Sequence, residues 1–184
     1  MNYKVLYRKY RPKTFDEIVG QNNIITLLKD SIINNKISHA YIFSGPRGTG
    51  KTSTAKIFAK AINCLDNTNG NPCLNCEICS NFNLNNDIYE IDAASNTGVD
   101  QIREIIDNVK LSPITSKYKV YIIDEVHMLS TSAFNALLLT LEEPPSHVVF
   151  ILATTNIEDV PITVLSRCQR LDFRKISNKD IHEQ

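Results

Sequence analysis

AYIFSGPRGTGKTSTAKIFAKAIN, residues 40–63, decides the fold. An apolar run, AYIFSG, reads as a strand, and KTSTAKIFAKAIN carries apolar residues at helical spacing. Between them Gly45 to Thr52 fits G-x-x-x-x-G-K-[ST] in the strand-to-helix context that motif requires. Gly45, Gly48 and Gly50 let the backbone curl until successive N–H groups converge on phosphate oxygens. The helix that follows adds the positive end of its dipole. Lys51 is placed to reach β- and γ-phosphates, and the Thr52 hydroxyl to ligate Mg²⁺. Only six glycines occur in the chain, and three are in this loop. The alternative, an ordinary glycine turn, leaves that concentration unexplained. The candidate phosphate-binding residues are therefore Gly45, Pro46, Arg47, Gly48, Thr49, Gly50, Lys51 and Thr52.

Outward from this unit, apolar runs alternate with helical ones. DIYEIDA (87–93), KVYIIDEV (119–126) and VVFILATT (148–155) read as strands, and CQRLDFR (168–174) as a weaker fifth. The near-continuous apolar character predicts parallel strands covered on both faces. VDQIREIIDNVK and SAFNALLLTLEE read as helices, the second stopped by Pro144 and Pro145. The expectation is an α/β fold: a three-layer αβα P-loop NTPase core around a parallel sheet of about five strands.

KVYIIDEV ends in two carboxylates. Asp124, at a strand's C-terminal end, is placed to hold the Mg²⁺ bound to Thr52. Glu125 is then placed to orient and polarise an attacking water; the competing reading is a helix cap. His127 completes an Asp-Glu-x-His string and is read as a packing residue. In LATTN (152–156) a hydroxyl or amide can face the γ-phosphate, although threonine after a strand commonly starts a turn. Arg167, in VLSRCQR, suits the charge-stabilising arginine of phosphoryl transfer, in cis or from a neighbour, although local spacing does not tie it to the glycine loop and an arginine there is more commonly a surface or ion-paired residue. Cys168 is read as buried.

Cys64-x8-Cys73-x2-Cys76-x2-Cys79 supplies four thiolates, enough for a closed tetrahedral zinc site. C-x2-C-x2-C also opens the bacterial ferredoxin run, but the C-x3-C-P continuation is missing, since CSNFN follows. A closed site has no position for water, so the zinc reading is structural, stapling an insertion at about 64–86.

The chain has 184 residues and a formal charge of zero. Residues 1–60 nevertheless carry eleven Lys/Arg against three Asp/Glu, whereas 61–102 carry none against six. Attraction to a polyanion therefore belongs to the N-terminal third and not to the cysteine segment. No apolar run approaches the ~20 residues a spanning helix needs, and MNYKVLYRKY is no secretory signal. The expected compartment is the cytoplasm, with reduced cysteines and no membrane partner.

VLYRKYRPKTFDEIVGQ, HAYIFSGPRGTGKTSTAKIFAKAINC, IDAASNTGVDQIR, KVYIIDEVHMLSTSAFNALLLTLEEPP and ILATTNIEDVPITVLSRCQRLDFR together resemble the N-terminal part of the gamma/tau subunits of bacterial DNA polymerase III. Those are clamp-loader ATPases of the AAA+ family, and the resemblance runs through essentially the whole chain. It implies an ATP hydrolase, working with Mg²⁺ within a DNA-directed DNA polymerase holoenzyme to load a sliding clamp onto primed DNA. It implies a trans-acting role for Arg167 on the ATP of an adjacent subunit, and the sensor-1 position for Thr155. Arg11, Pro12 and Val19 match the segment lining the adenine side. The implied partners are delta and delta-prime subunits, further gamma/tau copies, the clamp and primer-template DNA. A branch-migration ATPase and a non-hydrolysing clamp-loader scaffold are the alternatives. The Ser-Arg-Cys motif and cysteine insertion speak against the first, and intact Lys51, Thr52, Asp124 and Glu125 against the second.

In the resemblance the core at 1–184 continues into a helical lid and an oligomerisation domain. ISNKDIHEQ reads as a capped helix start, with Ser177 or Asn178 at the N-cap, so a truncated, mainly monomeric and weakly active piece is expected. For DNA, SNTGVD (95–100) is the candidate contact: Thr97 and Asp100 mark a helix start whose free N–H groups can meet a phosphate, or an ordinary cap.

Overall fold

The computed structural model describes residues 10–95 and 99–177. Five parallel strands, β1 (Ala40–Ser44), β2 (Ile88–Asp92), β3 (Lys119–Asp124), β4 (Val148–Thr154) and β5 (Gln169–Asp172), form one sheet in the order β2-β3-β4-β1-β5. The helices are α1 (Asn22–Ile33), α2 (Lys51–Ile62), α3 (Glu77–Ser80), α4 (Val99–Val109), α5 (Thr131–Glu142) and α6 (Ile162–Leu165).

Strand periodicity divides the core into two layers. Tyr41, Phe43, Val120, Ile122, Val149 and Ile151 point to the face covered by α1 and α2. Ala40, Ile42, Tyr121, Ile123, Phe150 and Leu152 point to the face covered by α4, α5 and α6. Phe58 of α2 meets Tyr41 edge-on at 4.9 Å, and Tyr89, Tyr121 and Phe150 stack across three strands. The fully buried Phe58 and Phe150 each contribute ~1.5–3 kcal/mol.

The three inner strands are covered on both faces, as expected, but β2 is not. Its residues are half-buried or exposed because it forms a sheet edge; its Glu90 and Asp92 already break the apolar run. Helix α1 is an addition to the elements read from sequence. Ile24, Ile25, Leu28 and Ile32 are its buried stripe, at the spacing that should have announced it. The third strand stops at Asp124 rather than residue 126, because Glu125 turns into the left-handed region at φ 47°.

Parallel connections leave β1 between β4 and β5, so chains leaving its C-terminal end diverge around a crevice. Crevices of this kind, outside the carboxyl ends of strands at a switch in order, are where open α/β sheets bind ligands. The glycine loop lies there.

Candidate functional site

Gly45, Gly48 and Gly50 all adopt positive φ, at 142°, 82° and 94°. At Gly45 the reason is doubled: a Cβ there would lie 2.3 Å from the Phe173 carbonyl oxygen, so only glycine fits where the chain leaving β5 crosses the loop. Thr49 Oγ1 donates to the Pro46 carbonyl across the turn. The loop ends at Lys51, the first residue of α2, whose Nζ donates to the carbonyls of Gly45 (2.8 Å) and Pro46 (3.0 Å). Burial pulls the Lys51 pKa below the usual lysine value, while Glu125 and Asp124 oppose that shift.

The neighbouring strand brings the carboxylates in. Thr52 Oγ1 donates to Asp124 Oδ2 at 2.6 Å, joining residues 72 apart in sequence. Asp124 Oδ1 accepts from the Glu125 N–H at 3.0 Å. A hydroxyl and a carboxylate oxygen this close, beside a buried ammonium, form a hard oxygen donor pair of the kind Mg²⁺ takes. Glu125 is not a helix cap: the short turn after it receives no side-chain cap bond, and α5 is capped instead by Ser130 Oγ, which accepts from Ala133 N. Its Oε2 accepts from Thr155 Oγ1 at 2.9 Å and Thr155 N at 3.2 Å. His127 does more than pack. Its Nδ1 lies 3.0 Å from Thr154 Oγ1 and 3.4 Å from Glu125 Oε2.

Three clefts meet around the loop. One of about 360 Å³ is lined by Arg11, Arg47, Gly48, Lys51, Asp124 and Glu125, among others. Sharing Arg11, Gly48, Gly50 and Ser53 with it is a cleft of about 700 Å³, walled by Pro12, Val19, Thr49 and Ile176. Arg11, Pro12 and Val19 thus come together beside the loop, and Arg11 Nε donates to Ser53 Oγ at 3.3 Å. The third, about 1090 Å³, opens over Arg47, Glu125, His127, Thr155, Asn156 and Arg170.

Arg167 follows α6. Its guanidinium donates to Glu142 Oε1 on α5 and to the Thr163 carbonyl, both at 2.7 Å. Cys168, only half-buried, packs on the second core layer, and burial pushes its thiol up to about 12. Thr97 and Asn178 lie outside the described residues, so the proposed cap at 97–100 and the helix start at 178 have no structural description.

The four cysteines converge as well. All four Sγ atoms lie within 4.8 Å of one another, with Cys64 to Cys76 at 3.9 Å and Cys73 to Cys79 at 4.0 Å. A tetrahedron with ~2.3 Å Zn–S bonds has edges of about 3.8 Å, so the set fits a four-thiolate metal. Cys73 N donates to Cys64 Sγ and Cys76 N to Cys73 Sγ, both at 3.3 Å. Burial raises the Cys76 thiol, but backbone bonds from Leu65 and Cys79 outweigh it and bring it to about 6. The segment is docked on the N-terminal part of the chain. Gly70 sits where a Cβ would come within 3.0 Å of Lys29 Cα, and Asn71 Oδ1 accepts from Phe15 N.

The profile of the family described as DNA polymerase III, delta subunit, matches residues 20–177. DNA polymerase III subunit tau of Bacillus subtilis is 56% identical over 183 residues, 98% of this chain and 32% of that protein. Subunit tau of Escherichia coli is 47% identical over 186 residues, covering all of this chain and 29% of its own length. A Buchnera aphidicola gamma subunit is 46% identical over 98% of this chain and 50% of that protein. The chain thus spans about a third to a half of these relatives. Among solved structures, the Thermotoga maritima RuvB Holliday junction branch migration motor superposes with TM-score 0.66 at 22% identity, over 95% of this chain and 52% of that one. A gamma-subunit-related protein of the same organism gives 0.63 at 20% identity, over 87% and 47%. At such identities these two likenesses establish the fold alone.

Proposed function

The chain belongs to the family of the DNA polymerase III delta subunit, and on that premise we propose that it is the ATP-hydrolysing core of a gamma/tau-type clamp-loader subunit. The observation that carries the reading is the bond between Thr52 and Asp124, which brings loop and carboxylate strand together beside Lys51 and Glu125. The adenine side of ATP occupies the cleft between Arg11, Pro12, Val19 and the loop. The triphosphate follows Gly45 to Thr52 into the smaller cleft, where Lys51 meets the β- and γ-phosphates. Mg²⁺ would be held by Thr52 and Asp124 and would neutralise phosphate charge. Glu125, gripped by Thr155, orients and polarises the attacking water, and Thr155 reports on the γ-phosphate. Arg167 completes the site of an adjacent subunit.

The partners proposed are delta, delta-prime and further gamma/tau copies, together with the sliding clamp and primer-template DNA. The RuvB likeness supports only the shared fold, whereas identity of 46–56% to gamma and tau subunits favours the loader reading. The test is steady-state ATP hydrolysis by the chain extended to the length of its relatives and assembled with partner subunits. Clamp plus primed DNA should stimulate hydrolysis strongly. Glu125→Gln should abolish turnover, by about 10²-fold or more, while nucleotide binding persists. A rate that ignores clamp and DNA would leave an ATPase without this task.

A further inference from the structure

Gln21 is 4% exposed, a rare condition for a glutamine. It stands at the N-cap of α1 yet does not cap it. Its carboxamide instead spans three segments. Nε2 donates to the Arg174 carbonyl at 2.7 Å, and Oε1 accepts from the Arg174 N–H at 3.2 Å. Nε2 also lies 3.4 Å from the Thr49 carbonyl, inside the glycine loop. The side chain thereby supplies the paired donor and acceptor that a neighbouring strand would offer, 153 residues away in sequence.

Each tethered segment walls the cleft of about 700 Å³. Arg11 to Val19 lead directly into Gln21, Thr49 belongs to the loop, and Ile176 lies two residues beyond Arg174. Contact between loop and chain exit is intimate, since the Phe173 carbonyl occupies the space a Gly45 side chain would need, and Phe173 N donates to Ser44 O at 2.7 Å. Buried amide groups are costly to leave unpaired, so this arrangement admits few alternatives.

We infer that Gln21 is a positioning residue for nucleotide affinity: its carboxamide locks the chain leaving β5 onto the glycine loop and so preforms the base-side cleft. The inference rests on the reading of that cleft as a nucleotide site. Gln21 lines none of the three clefts around the loop. Its loss should therefore weaken binding of the nucleotide, because binding must then organise the cleft, and leave turnover of the saturated site nearly unchanged.

The test compares this chain with Gln21→Glu and Gln21→Met, both close to glutamine in size. Gln21→Glu keeps an acceptor for Arg174 N but sets a carboxylate against two carbonyl oxygens; Gln21→Met removes donor and acceptor together. Affinity for a fluorescent ATP analogue is titrated well below each variant's melting midpoint, with melting recorded in parallel. In the extended, partner-assembled form, turnover is measured at saturating ATP. Roughly tenfold weaker binding, with saturated turnover within about twofold, is the expected result. Variants that melt earlier but bind the analogue as the unsubstituted chain does would overturn it, leaving Gln21 a structural residue. Failure of the unsubstituted chain to bind the analogue would instead overturn the nucleotide reading itself, and this inference with it.

Discussion

Asp87 has no exposed surface, yet it is charged. Its Oδ1 accepts from Ile114 N, and its Oδ2 from Thr115 N, Ser116 N and the Thr115 hydroxyl, at 2.8 to 3.2 Å. Burial raises its pKa, but these backbone donors outweigh burial and hold it below the ordinary 3.8. A folded-state pKa below the unfolded value gives stability that is complete above about pH 4 and is lost as pH falls through the folded value. Asp87→Asn turns one acceptor into a donor facing N–H groups and should cost ~1–3 kcal/mol in urea unfolding at pH 7. The difference from the unsubstituted chain should shrink as the pH falls below 4. Glu125 shows the opposite economy, a residue held in the left-handed region where it meets the cleft. Such outliers collect at functional sites.

The cysteine segment between α2 and β2 has little to hold itself. Its helix α3 has four residues, and its only pairing among the described residues is the bridge between Thr68 and Asn71. Leu65 and Leu84 are exposed. What it does have is four converging thiols and a seat against α1, where Asp16 pairs with Lys29 and receives a bond from Asn71. Metal binding in such a segment is folding free energy. Elemental analysis should find one zinc per chain. Chelation, or Cys73→Ser, should open residues 64–86 to protease while the sheet stays protected. Because the seat includes the arm at Phe15, nucleotide affinity should fall slightly as well. Retained protease resistance after complete zinc removal would show that the docking contacts suffice.

Strand order puts Lys51, Glu125 and Thr155 at one end of the sheet, while Arg167 is tied sideways to Glu142 of α5. That pair is partly exposed and worth no more than ~1 kcal/mol, so it would oppose the proposed trans role of Arg167 only weakly. In assembled complexes, Lys51→Ala subunits and Arg167→Ala subunits should each be nearly inactive alone. Mixed together they should recover part of the activity, because one supplies the loop and the other the arginine. Absence of any recovery in mixed assemblies of verified composition would place the arginine's action within its own subunit.

Local chemistry made much of this readable. The glycine loop, the carboxylate pair and the cysteine spacing stand out because each sets, a few positions apart, the residue types that the proposed phosphate, Mg²⁺ and zinc sites would need. Strand–helix alternation likewise announced a parallel sheet. Helix α1 was legible in its apolar stripe of Ile24, Ile25, Leu28 and Ile32. Other features had no local signal. Nothing near Gln21 points to Arg174, nothing near Glu125 points to Thr155, and nothing at Asn63 foretells its two bonds to the backbone of Tyr118. By itself, then, the sequence determined that strands and helices alternate and that about five strands would gather into a parallel sheet. Only the tertiary structure decided which side chains grip which segments, because strand order and crossover paths bring together groups that chain spacing does not relate.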